Sequence, residues 1–221
     1  GAPLFRKSRN NLLSDRLHAW LELIRLPNLL TVPGDVLSGA CLSALLLNTA
    51  FKGSTLFFSV LAVFFLYVMG LLQNDLNDLS VDRFQRPNRP LPSKRVSTST
   101  AAVALVAALF LGLFFAFLAS RAVFYLAVVL SIAIWAYNLL FKKRYFAGPF
   151  CMGLCRGFSF LIGVATVSWH TGTVPVFLGI VAYIFFVTRI AESENRRQVP
   201  NARVFLPLAS FFLEIGRASC R

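Results

Sequence analysis

Six times along the sequence an apolar run of nearly twenty residues separates two polar stretches, at 29–47, 54–72, 101–119, 123–141, 150–167 and 174–190; a seventh begins near 204 and stops at 213. A helix needs about twenty apolar residues to cross the hydrocarbon of a bilayer. Only helices and closed barrels satisfy every backbone group in lipid, and the sequence has no ten-residue alternation of the kind a barrel strand needs. The expectation is an all-α integral membrane protein, a polytopic bundle of about six complete transmembrane helices plus part of a seventh. Composition agrees: 57% of the residues are hydrophobic and 14% charged, with mean hydropathy +0.69, too apolar for one soluble domain.

The net charge of +13 raises nucleic acid as a partner, and the placement of the charges excludes it. Counted by loop, Lys and Arg number five before the first run, five between the second and third, three between the fourth and fifth and, with Arg189 at the end of the sixth run, four between the sixth and seventh, whereas the opposite side carries Lys52 and Arg121. That asymmetry is the positive-inside pattern, so the N-terminus and the basic loops are expected to be cytoplasmic, in a bacterial inner (plasma) membrane. Residues 1–28 form a basic segment in which Leu13, Leu17, Trp20, Leu21 and Ile24 make an apolar stripe opposite Arg16, His18 and Arg25, as in a helix lying in the membrane interface. Residues 29–213 form the transmembrane domain, incomplete because its seventh run is broken after about ten residues. Residues 214–221 read as a translated sequencing adapter fused to a shortened reading frame; the alternative is a short helix closed by Gly216 with Arg217 at its end. Cys41, Cys151 and Cys155 sit in apolar runs as small hydrophobes, without the further ligands a metal site needs.

Acidic residues are scarce, nine in all, so their clustering carries weight. Asn74, Asp75, Asp78 and Asp82 follow directly on the second run, and on a continuing helix Asn74, Asp78 and Asp82 recur every four residues along one stripe, with Asp75 beside them. Stacked carboxylates repel unless a cation compensates, and oxygen-only ligands without His or Cys point to Mg²⁺. Mg²⁺ takes one or two carboxylates and completes its octahedron with water and phosphate oxygens, so the stripe predicts a phosphorylated ligand. Arg83, Arg86, Arg89, Lys94 and Arg95 crowd the next loop, where guanidinium forks suit phosphate. The plainer reading is a solvated interfacial cap in which Asp82 pairs with its neighbouring arginines.

The run Asn74-Asp75-x-x-Asp78-x-x-x-Asp82-Arg83, followed by Asn88-Arg89-Pro90-Leu91-Pro92-Ser93, resembles the first aspartate-rich motif of the UbiA superfamily of membrane prenyltransferases. Arg25-Leu26-Pro27-Asn28 resembles the opening of that family's first helix, and Tyr137 with Lys142 and Lys143 the end of its fourth. The resemblance covers residues 20–213, some six and a half of the family's nine helices. It implies a bundle around a central cavity in which an isoprenoid diphosphate is held through Mg²⁺ and ionised, and its prenyl group passed to an aromatic or other lipophilic acceptor. By that resemblance Asn74, Asp75, Asp78 and Asp82 are metal ligands, Asp78 and Asp82 catalytic, and Asn28, Arg83, Arg89, Lys142 and Lys143 diphosphate contacts.

One departure from the family is clear. Where its second aspartate-rich motif belongs, this chain reads Arg189-Ile190-Ala191-Glu192-Ser193-Glu194-Asn195, without aspartate. Glu192 and Glu194, two apart, diverge on a helix. A possible second site of Arg189, Glu192 and Glu194 therefore stands beside an ordinary interfacial turn. Asp35, isolated in the first run, is costly in lipid and is either an acceptor-orienting group or the structural partner of Arg156. A reading from another class also stays open, a non-catalytic or transport-related isoprenoid-binding protein that kept one diphosphate site. An alcohol phosphotransferase would show a longer aspartate series with an embedded Gly, which is not found.

Overall fold

The computed structural model describes residues 9–25 and 31–195, without the side chains of 9–14, 16 and 192–195. Regular structure among them is helical throughout: α1 (Arg9–Leu23), α2 (Val32–Leu47), α3 (Gly53–Asn77), α4 (Leu79–Gln85), α5 (Thr98–Ala119), α6 (Arg121–Ala136), one π-helical turn (Tyr137–Phe141), α7 (Ala147–Val164) and α8 (Thr173–Asn195). Among the described residues five segments are long and apolar enough to cross a membrane, namely α3, α5, α6 with the π turn, α7 and most of α8. The chain is an integral, multi-pass membrane protein. The first expected span is shorter than the others, because the 16 residues of α2 rise only about 24 Å against a hydrocarbon core of about 30 Å. The seventh run, the tail at 214–221, and residues 1–8 and 26–28 of the basic segment lie outside the described residues.

Local signals set the helix ends. Pro33 occupies the first turn of α2, where no backbone donor is needed, and Asn48 closes that helix in the left-handed conformation (φ 50°, ψ 43°). Ser97 and Ser120 cap α5 and α6 by accepting from the backbone N–H of Thr100 at 3.1 Å and of Val123 at 3.2 Å.

The core gathers on α3. Its fully buried Leu66, Met69 and Leu72 pack with a stripe of small residues on α5 (Ala101, Ala108, Gly112, Ala116) and with Ala127 and Leu130 of α6. Small residues spaced by four and seven along one helix face let helices approach closely in lipid, where dispersion and not the hydrophobic effect holds them together. The outward face of α5 carries Phe110 and Phe117, both exposed, as a lipid-facing surface requires.

A second seam joins α2 to α7. A Cβ on Gly39 would fall on the Phe160 carbonyl oxygen and one on Gly163 on that of Val36, so the two backbones touch. Ser43 Oγ donates across the same seam to Ser168 O at 2.5 Å. At the N-terminal end, α1 is a helix as expected: Ala19 and Leu23 are buried, Trp20 packs against the core, and Leu17 is 62% exposed. Amphipathicity gave the helix, and its contact with α3 decides which residues face inward.

Candidate functional site

The acidic stripe survives the end of α3. At Asp78 (φ −85°, ψ −3°) the helix loosens for one residue before α4. Asp78 N–H still donates to Asn74 O at 3.0 Å, and Asp82 N–H to Asp78 O at 2.8 Å. Four-residue spacing is therefore kept, and Asn74, Asp78 and Asp82 line one cavity of about 630 Å³. Arg86 and Arg89 reach it from the end of α4 and the following loop, Arg25 from the residue pair after α1, and Lys142 and Lys143 from beyond the π turn. Val63, Tyr67, Leu130 and Ile134 line its apolar part. Val63 precedes Asp78 by fifteen residues, about 22 Å along the helix. One cavity thus has a charged mouth and a largely apolar interior, in which Arg156 and Ser159 are polar exceptions.

Each carboxylate meets a cation from a different segment. Arg25 Nη2 donates to Asp75 Oδ1 at 2.9 Å, and Asn74 Nδ2 to the same oxygen at 3.2 Å. Arg89 Nη1 donates to Asp82 Oδ2 at 2.7 Å and lies 3.9 Å from Asp75. Lys142 Nζ pairs with Asp78 Oδ2. Asp75 and Asp82 are buried, and buried charge is tolerated only when paired in this way. Arg25 reaches Asp75 from a left-handed backbone (φ 49°), a conformation that costs a non-glycine residue of order 1–3 kcal/mol and persists where surrounding contacts fix it.

The π turn has the same purpose on the other wall. Lys142 N–H donates to Tyr137 O at 2.8 Å, one residue further than in an α-helix. Asn138 Nδ2 donates to Gly70 O at 3.1 Å and to Gln73 Oε1 at 3.0 Å, tying the turn to α3. Buried Gln73 Nε2 has no partner among the described residues.

Of the residues singled out in the sequence, Asn74, Asp78, Asp82, Arg89, Lys142 and Lys143 meet at this cavity, and Asp75 stands behind them on Arg25. Arg83 is exposed and is not part of the lining. Asn28 lies outside the described residues, as do the side chains of Glu192 and Glu194. Arg189 lies with its guanidinium 3.2 Å from the ring centroid of Tyr145 and donates to Tyr145 O at 3.1 Å. Asp35 forms an ion pair with Arg156, Oδ2 to Nε 2.9 Å, and only Arg156 of the two lines the cavity. Sequence reasoning assigned no role to Asn138 or Tyr67, read Arg25 only as part of the basic segment and of the opening of the first helix, and placed Arg86 among the loop guanidiniums suited to phosphate without naming it as a contact. For Asn138 a signal existed, an amide inside an apolar run.

Among the described residues no three His, Cys, Asp or Glu side chains converge as a ready-made metal cage. The donor chemistry nevertheless fits Mg²⁺: the stripe offers only oxygens, and this ion needs few protein carboxylates when phosphate and water complete its shell.

Comparison with known proteins follows the same line. The sequence pattern of the UbiA prenyltransferase family matches residues 36–201. Digeranylgeranylglyceryl phosphate synthase of Methanococcus maripaludis strain C7 is 34% identical over 163 residues, 73% of this chain and 57% of that protein. The synthase of the same name from Sulfolobus acidocaldarius is 29% identical over 178 residues, 79% of this chain and 61% of that one. The chain thus spans somewhat over half the length of these archaeal relatives, and a bacterial membrane draws no support from them. A solved structure concerning digeranylgeranylglyceryl phosphate synthase in membranes superposes with TM-score 0.72 at 25% identity, over 86% of this chain and 71% of that one. A UbiA homologue from Archaeoglobus fulgidus, solved with DMAPP and Mg²⁺, shares the fold at TM-score 0.64 and 17% identity, over 76% of this chain and 60% of that one. With its pattern matched over three-quarters of its length and its helices folded as in these structures, the chain belongs to the UbiA prenyltransferase family.

Proposed function

We propose that this protein transfers a prenyl group from an isoprenoid diphosphate to a lipophilic acceptor inside the membrane. The observation that carries the reading is the cavity itself: oxygen donors and cations at one end, apolar and aromatic walls at the other, in about 630 Å³. A diphosphate on an isoprenoid chain has this same polarity. Lys142, Lys143, Arg86 and Arg89 are assigned to the diphosphate oxygens, where fixed cations stabilise the charge that develops on the leaving group. Asn74, Asp78 and Asp82 would hold Mg²⁺, which supplies Lewis-acid polarisation of the phosphoryl oxygens. Asp75 is assigned to fixing Arg25. Val63, Leu130 and Ile134 would hold the prenyl chain away from water, and the Tyr67 ring offers a π face to the allylic cation.

The names of the relatives favour a glyceryl phosphate lipid as acceptor over an aromatic ring. The charge asymmetry of the loops favours a cytoplasmic N-terminus with the cavity mouth on the same side. The test is equilibrium binding of a non-hydrolysable prenyl diphosphate to the full-length gene product in detergent. Binding that requires Mg²⁺ and is lost in Asp78→Ala and Asp82→Ala supports the proposal. A folded protein that binds no prenyl diphosphate at any Mg²⁺ concentration overturns it.

A further inference from the structure

Beyond the mouth cluster a single ion pair is set into the bundle. Asp35 stands in the first turn of α2 and Arg156 in the middle of α7, and their side chains are 15% and 25% exposed. The start of α7 abuts Lys142, since a Cβ on Gly148 would meet the Phe141 and Lys142 carbonyls. Arg156 follows nine residues after Ala147, about 14 Å along the helix from that end. It therefore stands apart from the mouth lysines Lys142 and Lys143 while lining the same cavity.

A tie between α2 and α7 would be the bland explanation, and the seam argues against a need for it. Gly39 and Gly163 already bring the two backbones into contact, and Ser43 bonds across to Ser168. A buried ion pair adds little to stability once desolvation is set against attraction. This one places Nε 2.9 Å from Asp35 Oδ2, in an orientation that leaves that oxygen without a hydrogen bond. The two Nη nitrogens of Arg156 have no protein partner among the described residues, and the residue faces the same cavity as Tyr67 and Ser159. A guanidinium held beside a carboxylate by charge, with its fork unused, is poised for a second oxyanion. The charge points the same way: six basic side chains face the cavity against two lining carboxylates, and even with Asp75 and Asp35 paired behind Arg25 and Arg156 the site stays net positive.

We propose that Arg156 anchors the anionic headgroup of the acceptor, a phosphate-bearing lipid, and that Asp35 is a positioning residue that holds the guanidinium by its charge. This rests on the prenyltransferase reading for its biology, and its test is a binding measurement that does not require turnover. The full-length protein in nanodiscs is titrated, without prenyl diphosphate, with a C20 isoprenyl ether of glycerol 1-phosphate, with its dephosphorylated alcohol and with a hydroxybenzoate; prenyl diphosphate is titrated separately with Mg²⁺. The phosphate ether should bind at least ~10-fold tighter than the alcohol, the size expected of one charge-assisted contact. Arg156→Ala should abolish that difference, Arg156→Lys retain part of it, and Asp35→Asn weaken phosphate ether binding several-fold, while prenyl diphosphate affinity stays within about two-fold in each.

The exchange Asp35→Arg with Arg156→Asp separates anchoring from structure. It keeps an ion pair across the seam but takes the guanidinium off α7, so it should restore thermal stability and leave phosphate ether binding weak. Restored binding in the exchange variant, unchanged binding in folded Arg156→Ala, or selective binding of the hydroxybenzoate over the phosphate ether would each overturn the assignment. Should Arg156→Ala fail to fold, Arg156→Lys and the exchange variant decide the matter. A wild-type protein that binds the phosphate ether through Arg156 yet binds no prenyl diphosphate would uphold the anion site and overturn the transferase reading alone.

Discussion

At the cavity mouth three carboxylates each meet a cation delivered by a different segment, whereas at the α2–α7 seam two glycines put backbone against backbone. The mouth is held by charges that a ligand can compete for. Lys142 and Arg89 are paired with Asp78 and Asp82 here, and a Mg²⁺-bound diphosphate would exchange those partners. The seam holds by contact, which has no alternative partner and no slack. Charged groups are thus concentrated where partners can be exchanged, on a frame held by direct backbone contact. Substitutions at the two regions should separate function from folding, and that separation can be tested.

The largest effect is expected at the mouth. Asp78→Ala should lower turnover about 10²–10³-fold, the scale on which losing one preorganised charge-stabilising group acts, with the melting temperature in detergent moving only a few degrees. A full unfolding of Asp78→Ala at the wild-type growth temperature would erase the distinction between the two regions. At the seam the order reverses. Gly163→Leu pushes a side chain into the Val36 backbone, which has no rotamer to give. It should destabilise by about 3 kcal/mol or more, the upper end for overpacking. Loss of folded protein, followed by size-exclusion in detergent, is the expected outcome, and a folded Gly163→Leu with reduced turnover would show that the seam is not structural alone.

Asn138 tests whether the π turn belongs to the mouth or the frame. Asn138→Leu removes the bonds to Gly70 O and Gln73 Oε1 and leaves buried Gln73 with no partner at either end of its amide. Interhelical hydrogen bonds in membrane proteins contribute about 0.6–2 kcal/mol. A modest fall in stability should therefore come with a larger fall in prenyl diphosphate affinity, because the same turn aims Lys142. Equal losses in both would assign Asn138 to the frame.

The helices were legible in the sequence because lipid leaves a chain few choices: once runs of twenty apolar residues recur, backbone hydrogen bonding makes them helices. The stripe of Asn74, Asp78 and Asp82 was legible because a four-residue period survives even the loosened turn at Asp78. What could not be read depended on departures from helical periodicity. Arg25 is aimed by its own left-handed backbone, and Lys142 by an extra residue in a π turn. Arg156 was visible as a charge inside an apolar run, but its facing the cavity follows from where α7 meets α2. None of these directions follows from residue type.

Arg83 and Arg86 give the smallest effect and the sharpest contrast, because sequence alone cannot tell them apart: both follow Asp82 within four residues. Arg83 belongs to α4 and projects away from the cavity, exposed and outside its lining. The backbone leaves the helix at Arg86 (φ −141°, ψ 60°), and that residue does line the cavity. A charged contact to a phosphate oxygen is worth about 1.5–3 kcal/mol, about ten-fold or more in affinity. Arg86→Ala should accordingly weaken prenyl diphosphate binding by about ten-fold, and Arg83→Ala by less than about two-fold, in the same titration at the same salt. Equal weakening would mean that both act through long-range charge, in which case raising the ionic strength should shrink the two effects together. A loss confined to Arg86 would locate the diphosphate on the cavity side of α4, against the aspartates.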